Sequence, residues 1–331
     1  MAASSQRNPL DAEDMGRDDN SRMSQPSPSC AVFDGIVALK DWGVISAQGP
    51  DAAAFLNGQL TQDLLHMDER HARLAGYCSA KGRLLATFVA WRGGEEELLL
   101  ACSADLLPAT LKRLSMFVLR ARCKLGDATG QWPLYGLAGA AARERAGAVL
   151  PEGDWACTRL ERGYAIRLPA VDGQQRCLWA GSGVPPGPAL DIEAWRWLEV
   201  HSGIPRVTAA TSEQFVPQML NLELLGGVNF KKGCYPGQEV VARSQYRGTL
   251  KRRTFLVSSS APLAAGMEVF HSGDPGQPAG MVVLAASLPD GRHAALVELK
   301  TAAVQEGELQ AAGGARLAPA ALPYALDALA D

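Results

Sequence analysis

Long apolar runs are missing from this chain of 331 residues. The longest candidates, such as residues 98–102, are strand-sized, far short of the roughly 20 residues a helix needs to cross a bilayer, so no helical membrane span is expected. Charge of one sign is not in excess either. Against 35 acidic side chains stand 32 basic ones, a formal net of −3, which gives no global reason to expect contact with nucleic acid. Cysteine is present but scattered, at positions 30, 78, 102, 123, 157, 177 and 234. With no Cys-x-x-Cys pair and no histidine at ligand spacing, a disulfide framework, a zinc or other metal site and a stable resident iron-sulfur cluster are all disfavoured. Residues 1–29 lack the apolar core of a secretory signal; rich in Ser, Asp, Asn, Arg and Pro, they read as a disordered tail, taken as 1–30, in which Met15 and Met23 are candidates for an alternative start. These absences together point to the reducing cytoplasm.

What is present is a foldable composition, 47% apolar, at a length that suits two domains or one large body with a smaller appendage. Ile36-Val37-Ala38-Leu39 and Val44-Ile45-Ser46 read as strand, and Gly49-Pro50-Asp51 as a turn into an alanine-rich helix. Residues 83–91 and 97–102 read as two strands joined at Gly93-Gly94. Asp105 is placed to cap a helix carrying Leu107, Leu111, Leu114 and Val118 on one face, with Pro108 in its first turn. Asp191 is placed to cap another, carrying Ile192, Trp195 and Leu198 and closed by Gly203 and Pro205. Strands and helices mix without regular βαβ alternation, which indicates an α+β class. Beyond Lys251 the pattern changes to short β-like pieces punctuated by Gly, Pro and Asp, the mark of a small terminal β-barrel.

The most unusual stretch is Lys231-Lys232-Gly233-Cys234-Tyr235-Pro236-Gly237-Gln238-Glu239. A thiol stands between two lysines and a Pro-Gly turn, and Arg243 and Arg247 follow. Residues 231–253 hold seven basic side chains and one acid, a local +6, so the rest of the chain sums to −9. Such a field lowers the pKa of an exposed thiol. The plainer alternative is an inert cysteine in a turn beside a solvated basic face. No neighbouring histidine supplies a base for papain-like chemistry. A second constellation is Trp42 at a strand start and Trp195 on its helix face: either core residues or the stacking surfaces a flat heteroaromatic ligand needs.

The runs Gly203-Ile204-Pro205, Gln214-Phe215-Val216-Pro217-Gln218, Asn221-Leu222 and the whole of residues 226–243 resemble the signature of the YgfZ-type folate-binding proteins. Gly58-Gln59-Leu60-Thr61-Gln62-Asp63, Cys78-Ser79-Ala80-Lys81-Gly82-Arg83 and Leu322-Pro323-Tyr324 extend the likeness to all but the first 30 or so residues. The resemblance implies a fold like the folate-dependent T-protein of glycine cleavage: a folate-binding α+β body with a central cavity over residues 31–249, then a β-barrel over 250–331. It implies tetrahydrofolate or a one-carbon folate derivative as cofactor, with Trp42 and Trp195 as its contacts. Cys234 becomes the functional thiol of a motif formed by Lys232, Gly233, Tyr235, Gly237, Gln238 and Glu239, with Arg243 and Arg247 beside it to suit an anionic folate tail.

The implied function is support of iron-sulfur cluster assembly or repair in client enzymes, tRNA-modifying ones among them. Its partners would be those clients or assembly factors, with no membrane and no direct nucleic-acid contact. The alternative is a folate-dependent aminomethyl or other one-carbon transferase. Against it, Gly82-Arg83-Leu84-Leu85-Ala86-Thr87 carries no carboxylate where the T-protein has its acidic pair.

Overall fold

The computed structural model describes residues 33–146, 150–184, 186–246 and 250–326. The tail expected over 1–30 and Arg247 lie outside them. The first part of the chain supplies β1 (Gly35–Ala38), β2 (Trp42–Gln48), α1 (Ala52–Asn57), β3 (Arg73–Cys78), β4 (Leu84–Gly94), β5 (Glu97–Ser103), α2 (Leu107–Ser115) and β6 (Lys124–Asp127). Then come β7 (Leu134–Ala138), β8 (Cys157–Leu160), β9 (Gly163–Val171), β10 (Gln174–Gly181), α3 (Ile192–His201) and α4 (Gln238–Tyr246). The last part is β11 (Arg252–Ser259), β12 (Glu268–His271), β13 (Asp274–Ser287), β14 (His293–Lys300), α5 (Ala302–Gln305), β15 (Leu309–Ala311) and β16 (Arg316–Ala320).

Two antiparallel five-stranded sheets form the body, one ordered β3-β4-β5-β2-β6 and the other β1-β7-β10-β9-β8. Strands β4 and β5 are buried almost end to end, which is why they read as continuous apolar runs rather than as alternation. Helices α1 and α2 pack on the first sheet, and α3 lies against β1 on one side and β13 and β14 on the other. The C-terminal strands close into a six-stranded barrel, β11-β14-β13-β12-β15-β16, filled by a row of small aliphatics including Val257, Val269, Val282, Val297 and Leu299.

Local chemistry explains the helix ends. Asp191 caps α3 as expected, its carboxylate accepting the Glu193 N–H at 2.8 Å. Gly203, at φ +68°, turns the chain after α3, and a Cβ there would meet the Tyr324 ring at 2.6 Å. The Tyr324 hydroxyl donates to the Gly203 carbonyl at 2.8 Å, so the segment Leu322-Pro323-Tyr324 is fastened over the turn that follows α3. Asp105 does not cap α2. Its carboxylate accepts the distant Ala209 N–H at 2.9 Å, and the helix starts after Leu106 with Pro108 in its first turn.

Candidate functional site

Between the two sheets, under α3, lies a cavity whose empty space, with the open solvent at its mouth included, is about 540 Å³. The first sheet contributes Trp42, Leu74, Thr87, Phe88 and Val89; the second contributes Leu168, Arg176 and Leu178; α3 and the turn after it contribute Trp195, Glu199, Ser202 and Arg206. Both tryptophans singled out from the sequence therefore line one space. Trp195 is fully buried, and its indole lies flat against β7 because residue 136 is glycine: a Cβ there would stand 2.6 Å from the ring. Trp42 is half-buried, with the Arg206 guanidinium 4.8 Å from its ring centre, a cation–π pair.

A third indole, Trp155, completes the wall. Its φ of +65° is a left-handed conformation that costs a bulky residue about 1–2 kcal/mol. Hydrogen bonds on both sides enforce it, from the Trp155 N–H to the Arg167 carbonyl at 2.9 Å and from the Ala72 N–H to the Trp155 carbonyl at 2.8 Å.

The polar groups of the cavity are charged and mostly buried. Arg206 donates to the Asp41 carboxylate at 3.0 Å and to Ser103 Oγ at 3.2 Å, with Glu199 at 3.5 Å. Burial opposes its charge, but Glu199 and Asp41 more than compensate and raise its pKa. Burial raises the Glu199 pKa, while Arg206 pulls it back. Arg176 has no carboxylate within ion-pair distance among the described residues, and burial pulls it down to about 10. Four buried donors on residues that line this space, Trp42 Nε1, Trp195 Nε1, Arg176 Nη2 and Arg206 Nε, make no hydrogen bond among the described residues. Such a lining calls for a flat ligand with acceptors on its edge. Among the described residues Glu199 is the only carboxylate on the wall.

Arg176, Glu199, Arg206 and Trp155 were not singled out in the sequence, although three carried a readable signal. Glu199 follows Trp195 by one helical turn on a face otherwise apolar, Arg206 directly follows the Gly203-Ile204-Pro205 motif, and Arg176 opens the buried run Cys177-Leu178-Trp179.

The thiol motif forms a separate, tightly held structure. Thr61 Oγ1 donates to the Gly227 carbonyl at 2.6 Å, and the Asn229 N–H returns to the Thr61 carbonyl at 2.9 Å. Lys232 Nζ reaches the carbonyls of Asn57 and Leu60, the latter at 2.9 Å, and lies 4.7 Å from the ring centre of buried Tyr235. Gly237, at φ +79°, is in contact with Gly82, at φ +71°; a Cβ on Gly237 would come within 2.6 Å of Gly82 Cα. The three separated motifs 58–63, 78–83 and 226–239 are thus one assembly, in which Gly237 admits the close approach that starts α4 at Gln238.

On this assembly Cys234 and Gly233 are exposed, as are Glu239 and Arg243, and Gln238 is half-buried. Cys234 and Arg243 do not line the cavity. The basic cluster read from the sequence is also thinner in space: Arg252 pairs with Glu298 and Arg253 with buried Glu223. Burial draws Lys232 down to about 8, against the pull of Asp63 and Cys234. By contrast, burial pushes Cys78, Cys102, Cys157 and Cys177 up to about 12, which leaves them inert as nucleophiles.

No protein-family model matches the chain. Among curated proteins, the tRNA-modifying protein YgfZ of Edwardsiella ictaluri is 32% identical over 311 residues, covering 88% of this chain and 93% of that protein. The chain belongs to the YgfZ family. The YgfZ protein of Cronobacter sakazakii is 30% identical over 323 residues, covering 92% of this chain and 97% of its own length. Among solved structures, aminomethyltransferase T of the glycine cleavage system from Bartonella henselae superposes with a TM-score of 0.69 at 18% identity, covering 89% of this chain and 87% of that one. This YgfZ-family chain therefore has the T-protein fold, α+β with a closed C-terminal barrel. No helix among the described residues is long and apolar enough to cross a membrane.

Proposed function

We propose that the cavity holds tetrahydrofolate or a one-carbon derivative of it, and that the protein supports assembly or repair of iron-sulfur clusters in client enzymes, tRNA-modifying ones included. The observation that carries the first part is the convergence of Trp42, Trp155 and Trp195 on a single cavity, on residues with buried donors that have no partner among the described residues. A pterin is flat, polar along its edge and able to stack, so the lining fits it. Trp42 and Trp195 would stack on or flank the ring, Glu199 would accept from its N–H groups, and the arginines would donate to its acceptors. When bound, the folate would supply a carrier for one-carbon units.

The chain's own residues favour binding over transfer. Thr87 is the one residue of the motif 82–87 on the cavity wall, and its hydroxyl is engaged in accepting the Val207 N–H at 3.0 Å. Glu199, the wall's carboxylate, is held by Arg206. Neither a Thr hydroxyl nor a single carboxylate paired with arginine replaces the acidic pair of the T-protein, so a folate-dependent transferase is the weaker reading. Cys234, exposed on its braced loop, is accessible to a client or a sulfur-bearing partner from solvent. A cytoplasmic setting agrees with a reduced, exposed thiol.

The test joins titration calorimetry with tetrahydrofolate to a methylene-transfer assay using an aminomethyl carrier. Saturable one-to-one binding without transfer is expected. Robust transfer would establish the alternative, and absence of binding would remove the folate reading.

A further inference from the structure

Resting on the folate reading, we propose that Arg176 is a specificity-determining residue that selects a 4-oxo pterin ring by donating from Nη2 to the ring oxygen. Arg176 is 2% exposed and lines the cavity with Leu178 and Trp195 beside it, its guanidinium 5.9 Å from the Trp195 ring centre. Among the lining residues Phe88, Leu178 and Trp195 are, like Arg176, nearly inaccessible at 1% exposed, whereas Trp42, Trp155 and Ile204 are half-buried and have the most contact with solvent. A ligand with a charged tail keeps that tail at the wet mouth, since desolvating a carboxylate is expensive. The group that reaches Arg176 is then the ring edge.

The backbone is built to place this guanidinium. Between β9 and β10 the register slips: Gln174 pairs with Val171 but Arg176 with Leu168, so Pro169 and Ala170 together face Gln175. Proline at a bulge loses no ladder bond, and bulges re-aim neighbouring side chains. The Pro169 carbonyl accepts from Arg176 Nε at 3.0 Å, which fixes the fork and leaves Nη2 without a partner among the described residues. A buried guanidinium with no carboxylate in ion-pair distance is costly to keep unless a ligand acceptor meets it. Its lowered pKa agrees with that cost.

A 4-amino ring reverses the pattern, presenting an NH₂ donor where the 4-oxo ring presents an acceptor, so donor would face donor. The measurement is calorimetric titration of the wild-type chain and R176M with tetrahydrofolate and with its 4-amino-4-deoxy counterpart, which carries the same glutamate tail. Wild-type protein is expected to bind the 4-amino compound about tenfold or more weakly, because a site built to donate a hydrogen bond rejects a ligand unable to accept it. R176M should lose affinity for tetrahydrofolate and discriminate little. Thermal unfolding checks the fold of R176M; should it fail to fold, the wild-type ratio alone decides. Equal wild-type affinity for the two compounds overturns the assignment of Arg176 and leaves the folate reading standing. Equal weakening of both by R176M also overturns it, by giving the guanidinium to the shared tail. No binding of either compound by wild type removes the folate reading itself.

Discussion

Replacing Gly136 by alanine displaces Trp195 without deleting any group that could bond a ligand. A Cβ at this position lies 2.6 Å from Cδ2 and Cε3 of the indole and 2.7 Å from Cζ3. Carbon atoms in good contact sit roughly 3.5–4.0 Å apart, so ring and strand must separate by about 1 Å. Strand β7 is held on both sides, by β1 and β10, and gives little. The ring has open space on its cavity side, so it moves there. Overpacking of this kind costs about 1–3 kcal/mol, divided between the free protein and its complex. A share of about 1.4 kcal/mol falling on the complex is a tenfold loss of affinity. Calorimetric titration of G136A with tetrahydrofolate, beside a thermal melt, should show a modestly lowered Tm and binding weakened about tenfold or more. Wild-type affinity together with a lowered Tm would refute the placement of the ligand against Trp195.

Trp42→Ala and Trp195→Ala should each weaken tetrahydrofolate binding by about 1–3 kcal/mol in the same titration, as removal of a buried aromatic at a binding hot spot does; unchanged affinity would make them core residues only. Cys234→Ser should retain wild-type Tm and folate affinity yet fail to restore iron-sulfur enzyme activity in cells lacking the protein, and full restoration would deny the thiol a chemical role. Lys232 provides a test in pH. Its folded pKa, about 8, lies below the ordinary 10.5, so between these values the unfolded chain binds more protons and stability rises with pH. Denaturant titrations should show this rise in the wild type and a shallower one in Lys232→Met; identical slopes would mean Lys232 titrates as an ordinary lysine.

Much of the frame was legible because local signals agreed with tertiary contacts. The Asp191 cap, the Trp195-Leu198 face of α3 and the short strands of the barrel occur where the residues indicate. The failures share a cause, the use of a local residue by a distant part of the chain. Asp105 is taken by Ala209, more than a hundred residues on, and cannot cap α2. Gly93-Gly94, read as a turn, stays within β4, and the chain reverses at Glu95-Glu96. The site was half legible for the same reason. Trp42 and Trp195, noted in the sequence as candidate stacking surfaces, share one cavity wall, but a charged residue inside an apolar strand, such as Arg176, acquires meaning only when two sheets bring it to a cavity. The +6 segment misled in the opposite direction, since linear charge counts ignored Glu223 and Glu298, which neutralise Arg253 and Arg252 in space.

A crystal structure of the full chain with tetrahydrofolate tests the central claim most directly. Ligand density is predicted in the cavity between Trp42 and Trp195, with the ring edge toward Arg176 and Glu199 and with Cys234 outside in solvent. Density elsewhere, or an empty cavity in crystals grown at saturating ligand, would contradict it.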